Sequence, residues 1–441
     1  MTTDRYDDAS LIETSEADAD LTARRRPWSA MLLGALMTLH GATHMIGFVA
    51  DLEVFDLALP AGALSPLFAG WWLAAGLLWV GAALTLAAAP RWWWAVALVA
   101  VTVSQAVVVT AWSLAWAGTV VNVVLLAAAL RGAAARGPSS LRAEYERALT
   151  GAWPAQHETL LMEADLVDLP EPVQRHLRRV GVVGRPPVRD FRATWTGRMR
   201  STPESAWMPF TADQLDVVSE RRRYFKMDAT MKGLPVDVLH VFDGRGATMR
   251  VRLFSVRSKV DASGPALTRA ETVTLFNDLC LYAPSVLTEP AVTWGPSDSR
   301  WATAHLTVGP NTITATLFFD DNRDLTDFVS DDRVAARPDG TPGPAVRWST
   351  PIRSYARSGS ARVPSRADVP WHPDSGAWTY GQFALTSLSH NTSTAERLGK
   401  YRPASHMVPP TSPGLLRPAT TRPGGLSGSA YPSGPVHPTV R

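Results

Sequence analysis

The stretch TRAETVTLFNDLCLYAP, Thr268 to Pro284, decides how the second half of this 441-residue chain is read. From about Val188 to it, and from it to Asn391, short aromatic and β-branched segments recur between turn signals, which predicts strands. Only this stretch breaks that pattern with a helical period. Val273, Phe276, Cys280 and Ala283 fall on one stripe and Leu275, Leu279 and Tyr282 on the adjoining one. Thr268 and Glu271 have the spacing of a capping box, which predicts the start of the helix. Pro284 predicts its stop, because the residue before a proline avoids helical geometry. The expected soluble fold is α+β: an antiparallel open half-barrel sheet interrupted by a central helix.

Cys280 is the single cysteine of the chain, so no intramolecular disulfide forms and the domain depends on its own core. It lies on an apolar stripe near the C-terminal end of the predicted helix, where the dipole disfavours a thiolate, so packing is expected rather than nucleophilic chemistry. Thr274, Asn277 and Asp278 make the polar strip of the same helix. They are expected to cap loops and face water, with a ligand cavity as the alternative.

The N-terminal part belongs to another environment. Trp28 to Ala50 contains no Asp, Glu, Lys or Arg and exceeds the roughly 20 residues that a bilayer crossing requires. Similar runs cover Ser65–Ala88, Trp92–Thr110 and Ser113–Leu130. The last two are separated by a tight turn, and their joint length predicts two crossings rather than one. The expected membrane part is thus a four-span α-helical bundle over residues 28–131. Its first apolar run is longer than the roughly 7–15 residues of a cleaved signal peptide. Trp clusters such as RWWWAV at the ends of the runs suit a membrane interface.

Arg24, Arg25, Arg26, Arg91, Arg131 and Arg136 all fall on one side of a four-span bundle. Basic flanks favour the cytoplasm, so a multi-pass protein of the bacterial inner membrane is expected, with its soluble domain cytoplasmic. Residues 1–27 and the Pro/Gly/Ser-rich residues 393–441 are predicted disordered tails, and 132–168 a helical linker. Residues 169–392 form the β-rich domain, which opens with a helix that Pro170 and Pro172 start and Gly181 stops.

Four intramembrane polar residues are candidates: His40, His44, Gln105 and Asn122. Ionisable groups in a span are functional candidates by default. His40 and His44 share one helical turn and cannot supply ligands to both sides of a haem, and no other span contains a histidine. Neutral histidines hydrogen-bonded between helices are expected, with a metal, quinone or proton role as the alternative. No cofactor and no metal are assigned.

The net charge of +3 is small for the length, so nucleic acid is not an expected partner. No zinc-protease helix, phosphate loop or nucleophile elbow is present, and no catalytic residue is assigned. The acid/base alternative is Asp278 or His240, with Arg250 converging on them at a cleft; a non-catalytic interaction module is a third reading. The stretches ERRRYFK and RVRLFSVRSK interleave basic and aromatic residues, which suits either a solvated strand face or an anionic headgroup.

The segments LPEPVQRHLRRVGVVGRPPVRDFRATWTGRMR, WMPFTADQ, FKMDATMKGLPVDVLHVFDGRGATMRVRL, ETVTLFNDLCLYAP and WTYGQFALTS together resemble an uncharacterised bacterial family. In that family such a domain often follows membrane spans. The resemblance covers Leu169 to Asn391 and implies domain limits but no activity. At the level of fold, the interrupted sheet resembles the open half-barrels of bacterial lipoprotein carriers, in which helices line a concave apolar face. Fold alone does not imply function, but a curved sheet with one face covered by an apolar helix can enclose an apolar cavity beside the membrane, so a hydrophobic or amphipathic small-molecule ligand is expected, a membrane lipid among the candidates. Phe276, Asn277, Asp278, Trp195, Trp207, Phe210 and Phe225 are its expected lining.

Overall fold

The computed structural model describes residues 28–51, 66–151, 159–336, 342–359 and 361–392. Both predicted tails lie outside the described residues, as do residues 52–65 between the first two apolar runs and residues 152–158 of the predicted linker.

Among the described residues, four helices are long and apolar enough to cross a membrane. They are α1 (Trp28–Asp51), α2 (Pro66–Ala88), α3 (Trp93–Thr110) and α4 (Trp112–Arg136). Ala111, at φ −118° and ψ 38°, breaks the helix between α3 and α4, so that stretch forms two helices rather than one. Leu39, Leu77, Val99 and Val123 point outward from the bundle, the placement a lipid solvent allows. Inside, α1 and α2 cross closely at two glycines. A Cβ on Gly76 would lie 2.9 Å from the Gly41 carbonyl oxygen, so only glycine permits this approach.

The chain leaves the bundle at Arg136 and forms α5 (Leu141–Leu149). The Ser140 hydroxyl accepts from the Ala143 backbone N–H at 3.0 Å, capping this helix. Leu141, Tyr145 and Leu149 recur every four residues and bury one stripe of α5 against the sheet. Next, α6 (Glu171–Val180) begins beside Pro170 and Pro172 and ends at Gly181, whose φ of 81° is the left-handed C-terminal cap.

Six strands then meander to one sheet edge: β1 (Asp190–Met199), β2 (Met208–Val217), β3 (Arg222–Met231), β4 (Leu234–Phe242), β5 (Ala247–Leu253) and β6 (Arg257–Ser263). Helix α7 (Pro265–Tyr282) follows, and after it β7 (Val292–Ser297), β8 (Trp301–Val308), β9 (Asn311–Phe319) and β10 (Leu325–Ser330). A short hairpin of β11 (Val334–Ala336) and β12 (Pro342–Ala345) stands apart. The chain closes with β13 (Arg347–Ser349), β14 (Ile352–Ser358), β15 (Ala361–His372) and β16 (Trp378–His390).

The 14-stranded sheet runs β6-β5-β4-β3-β2-β1-β16-β15-β13-β10-β9-β8-β7, with β14 on β15, and its pairs are antiparallel. The strands before and after α7 therefore join in the middle, at β1 and β16, while β6 and β7 are the two free edges. Helix α7 connects edge to edge. It packs against β4, β5 and β6 on one side and β9, β11 and β15 on the other. A single sheet reaches one helix from both sides only by curving around it, which makes an open half-barrel with the helix inside.

Two expectations about α7 need correction. The helix begins a turn earlier than the capping-box spacing predicts, because Pro265 at its first turn needs no N–H partner there. The Thr268 hydroxyl donates to the Gly264 carbonyl at 2.9 Å, and Glu271 points into the domain instead of back to the helix end. The polar strip does not face water either: every residue from Ala270 to Tyr282 is buried. Curvature of the sheet covers the side that a flat sheet would have left exposed.

Candidate functional site

Three arrangements of polar residues stand out, the first of them on the polar strip of α7. Strands β2, β3 and β4 place Gln214, Asp216, Arg223 and His240 on the sheet face that α7 covers, since residues two apart share a face. Arg223 Nε donates to Asp278 Oδ2 at 2.7 Å and its Nη1 to Glu271 Oε2 at 3.3 Å. Gln214 Nε2 bridges Asp278 Oδ2 at 2.8 Å and Asp216 Oδ1 at 3.0 Å. Asn277 Nδ2 donates to Asp278 Oδ1 at 3.2 Å, and His240 Nδ1 lies 3.3 Å from Glu271 Oε1. Thr274, the third member of the strip, accepts from Arg333 Nη1 at 2.6 Å.

Two buried carboxylates, Glu271 and Asp278, thus share one guanidinium, and a third, Asp216, joins them through Gln214. Burial, then the charge of Asp278, pushes the Asp216 carboxyl well above the usual range. Burial would raise Glu271 as well, but His240 and Arg223 outweigh it and hold that carboxyl at about 2. Asp278 and His240 therefore belong to one network, as the acid/base reading requires. Arg250 does not join it. It sits on the opposite face of the sheet, paired with Glu144 of α5. Glu271 and Asp216 are 3% and 0% exposed, so the arrangement holds charge and seats α7 on β2–β4. Beside it Cys280 is buried, and burial pushes its thiol well up, in keeping with packing.

The aromatic candidates are divided. Phe276 packs edge-on against Phe328 at 5.7 Å between ring centres. Trp195 meets Tyr282 and Phe383 at 5.2 and 6.1 Å, and Phe210 and Phe225 also meet Phe383. These four lie in one buried cluster. Trp207 lies elsewhere, half-buried at the end of the sheet with Arg198 and Arg200 over its ring at 4.8 and 4.6 Å. The distinction was not visible in sequence, where Trp207 and Phe210 are only three residues apart.

The second arrangement lies within the bundle, where His40, His44, Gln105 and Asn122 do come together. Asn122 Oδ1 accepts from His40 Nε2 at 2.9 Å and from the Ser104 hydroxyl at 2.9 Å. With its proton so committed, Ser104 accepts from His44 Nε2 at 2.8 Å. Asn122 Nδ2 donates to Gln105 Oε1 at 3.0 Å, and Gln105 Nε2 to Thr119 Oγ1 at 3.1 Å. Ser104 and Thr119 escaped the sequence reading because hydroxyls are ordinary in spans and carry no periodic signal. Three helices are joined by this chain, the hydrogen-bonded state expected of intramembrane polar groups.

The third arrangement is a groove of about 1010 Å³ between α5 and the outer face of the sheet. It opens beside Arg91, in the turn between α2 and α3, and is lined among others by Arg142, Tyr145, Arg192, Asp213 and Lys226. Arg142 and Lys226 both pair with Asp228, at 3.2 and 2.5 Å. Arg192 holds Asp213 with two bonds, of 2.9 and 2.5 Å, and the Tyr145 hydroxyl donates to the same carboxylate at 2.6 Å. Five cations and three carboxylates line the groove, which is mixed in polarity and positive on balance. Sequence reasoning missed it because its two walls are about 70 residues apart and only folding brings them together.

No curated protein matches the chain. Among solved structures, a domain described as an outer membrane lipoprotein-sorting protein from Vibrio parahaemolyticus aligns at 11% identity and a TM-score of 0.30. It covers 50% of this chain and 92% of its own. A DUF1329 family protein from Desulfovibrio piger aligns at 9% identity and a TM-score of 0.31, covering 54% of this chain and 98% of its own. With residues 159–383 matching its profile, the chain belongs to a family of unknown function, DUF6544.

Proposed function

We propose that the protein is a multi-pass membrane protein whose soluble half-barrel binds an amphipathic molecule, with a lipid as the candidate class. The observation that carries this reading is the groove beside Arg91: it is large, positive on balance, and adjoins the end of the bundle. The inside of the half-barrel is filled by the α7 core, so the groove on the outer face is the better place for a ligand's headgroup. Arg142 and Lys226 pair with Asp228, and together with Arg91, Arg147 and Arg192 they leave the lining positive on balance for an anionic group to meet.

Native mass spectrometry of the full chain purified in mild detergent tests this. The wild type is expected to retain a lipid adduct, and Arg142→Glu with Lys226→Gln to lose most of it. A wild type without any adduct, or a variant that keeps it unchanged, sinks the reading.

The basic flanks at Arg91, Arg131 and Arg136 support an orientation with the soluble domain in the cytoplasm of a bacterial inner membrane. A reporter fused after Asn391 is expected to be active only on the cytoplasmic side. Activity on the external side alone reverses the assignment.

A further inference from the structure

One end of the sheet gathers four turns: β1–β2, β3–β4, β5–β6 and β15–β16. The register fixes this, since Met199 faces both Met208 and Gly381, Met231 faces Leu234, Leu253 faces Arg257, and Trp371 faces Trp378. Three large apolar side chains are exposed there, on two neighbouring turns. Leu234 is 38% exposed, Phe254 38% and Val256 64%; Leu160, Met162, Val167 and Phe318 are exposed elsewhere in the domain, away from the aromatic and basic residues of this end. Trp207 and Trp378 stand at the same end with Arg198 and Arg200 beside the Trp207 ring, and Trp371 stacks on Tyr380 at 5.6 Å.

The charge around these residues is mainly positive. Arg200, Lys232, Arg257 and Lys259 lie in or next to the turns, against Glu204, Asp237 and Asp374. The β5–β6 turn is built to present its tip: Phe254 and Ser255 take φ values of 56° and 64°, in the left-handed region. The Ser255 hydroxyl donates to Asp237, and the Phe254 N–H to the Pro235 carbonyl at 2.9 Å, which fixes the turn with Phe254 and Val256 outward.

The chain itself brings this end towards the bilayer. Only four residues separate α4 from α5, and at the start of α5 Arg142 pairs with Asp228, three residues before the end of β3. Apolar tips, amphipathic rings and a cationic rim together are the composition of a segment that rests in the interface of an anionic membrane. We propose that this end of the sheet is a membrane-contact surface, with Leu234, Phe254 and Val256 entering the headgroup region and the basic residues meeting anionic lipid. Arg142 and Asp228 also line the groove, but here they serve only to place the sheet end, so membrane contact does not depend on a ligand in the groove.

The test uses the full chain in nanodiscs of phosphatidylcholine and phosphatidylglycerol, with a fluorescent thiol label at Val256→Cys. Arg245→Cys, exposed in the β4–β5 turn at the opposite end, is the control. The native Cys280 is buried and stays unlabelled. Aqueous iodide is expected to quench the label at position 256 several-fold less than at 245, and lipid-borne nitroxide to quench only the former. Adding Lys232→Glu, Arg257→Glu and Lys259→Glu, all on the surface, is expected to restore iodide access. Equal iodide quenching at both positions overturns the proposal. Protection at 256 that persists in detergent, or that the charge changes leave untouched, overturns it as well.

Discussion

Arg223→Leu is expected to destabilise the soluble domain by about 3–5 kcal/mol, because it removes the cation from a buried pair and leaves the carboxylates uncompensated. Asp278 loses its 2.7 Å partner and Glu271 its 3.3 Å one, and both lie largely out of reach of water. Asp216→Asn in the same network should behave differently. The Asp216 carboxyl is raised in the folded state, so the folded protein holds a proton that the unfolded chain releases. Its contribution is therefore favourable at acid pH and declines as pH rises above the ordinary carboxylate value towards the folded one. An amide does not titrate, so Asp216→Asn should flatten that decline and match or exceed the wild type at alkaline pH. Thermal unfolding of the detergent-purified chain across pH checks both. A mild Arg223→Leu together with a severe Asp216→Asn at high pH would show that the charges are distributed otherwise.

Phe276→Ala should cost a further about 3–5 kcal/mol as a separate substitution, the usual range for emptying a buried aromatic site. The ring is fully buried against Phe328, which in turn meets Trp348 at 6.2 Å. A residue that lined a ligand cavity would behave in the opposite way, losing little stability and altering what binds. Denaturant unfolding followed beside lipid retention separates the two. A stability loss below about 1 kcal/mol with altered lipid binding would place the ligand under α7 after all.

Much of the architecture was legible because it rests on period and length. The four apolar runs are long enough for bilayer crossings, and the helical stripe at Val273, Phe276 and Cys280 stands out between strand patterns. Pro170, Pro172 and Gly181 delimit α6 through backbone constraints that act locally. What sequence did not disclose depends on curvature. Thr274, Asn277 and Asp278 read as a water-facing strip because the sheet that wraps over them comes from both ends of the chain. The start of α7 was misplaced for a related reason: Glu271 satisfies Arg223 and His240, 48 and 31 residues away, rather than its own helix end. The membrane cluster was half visible, since histidine, glutamine and asparagine in a span attract notice and serine does not.

The groove also escaped notice, because α5 and the outer face of β1–β3 carry no common motif. The proposed ligand site lies there, and location is what a covalent probe reports. Photocrosslinking of the full chain in nanodiscs with a phospholipid carrying a headgroup diazirine, followed by peptide mapping, is the most direct measurement. Labelling is predicted on the segment Arg142–Thr150 and on the β3 peptide that contains Lys226. Labelling concentrated on α7, around Asn277 and Asp278, with none on α5, would contradict the account.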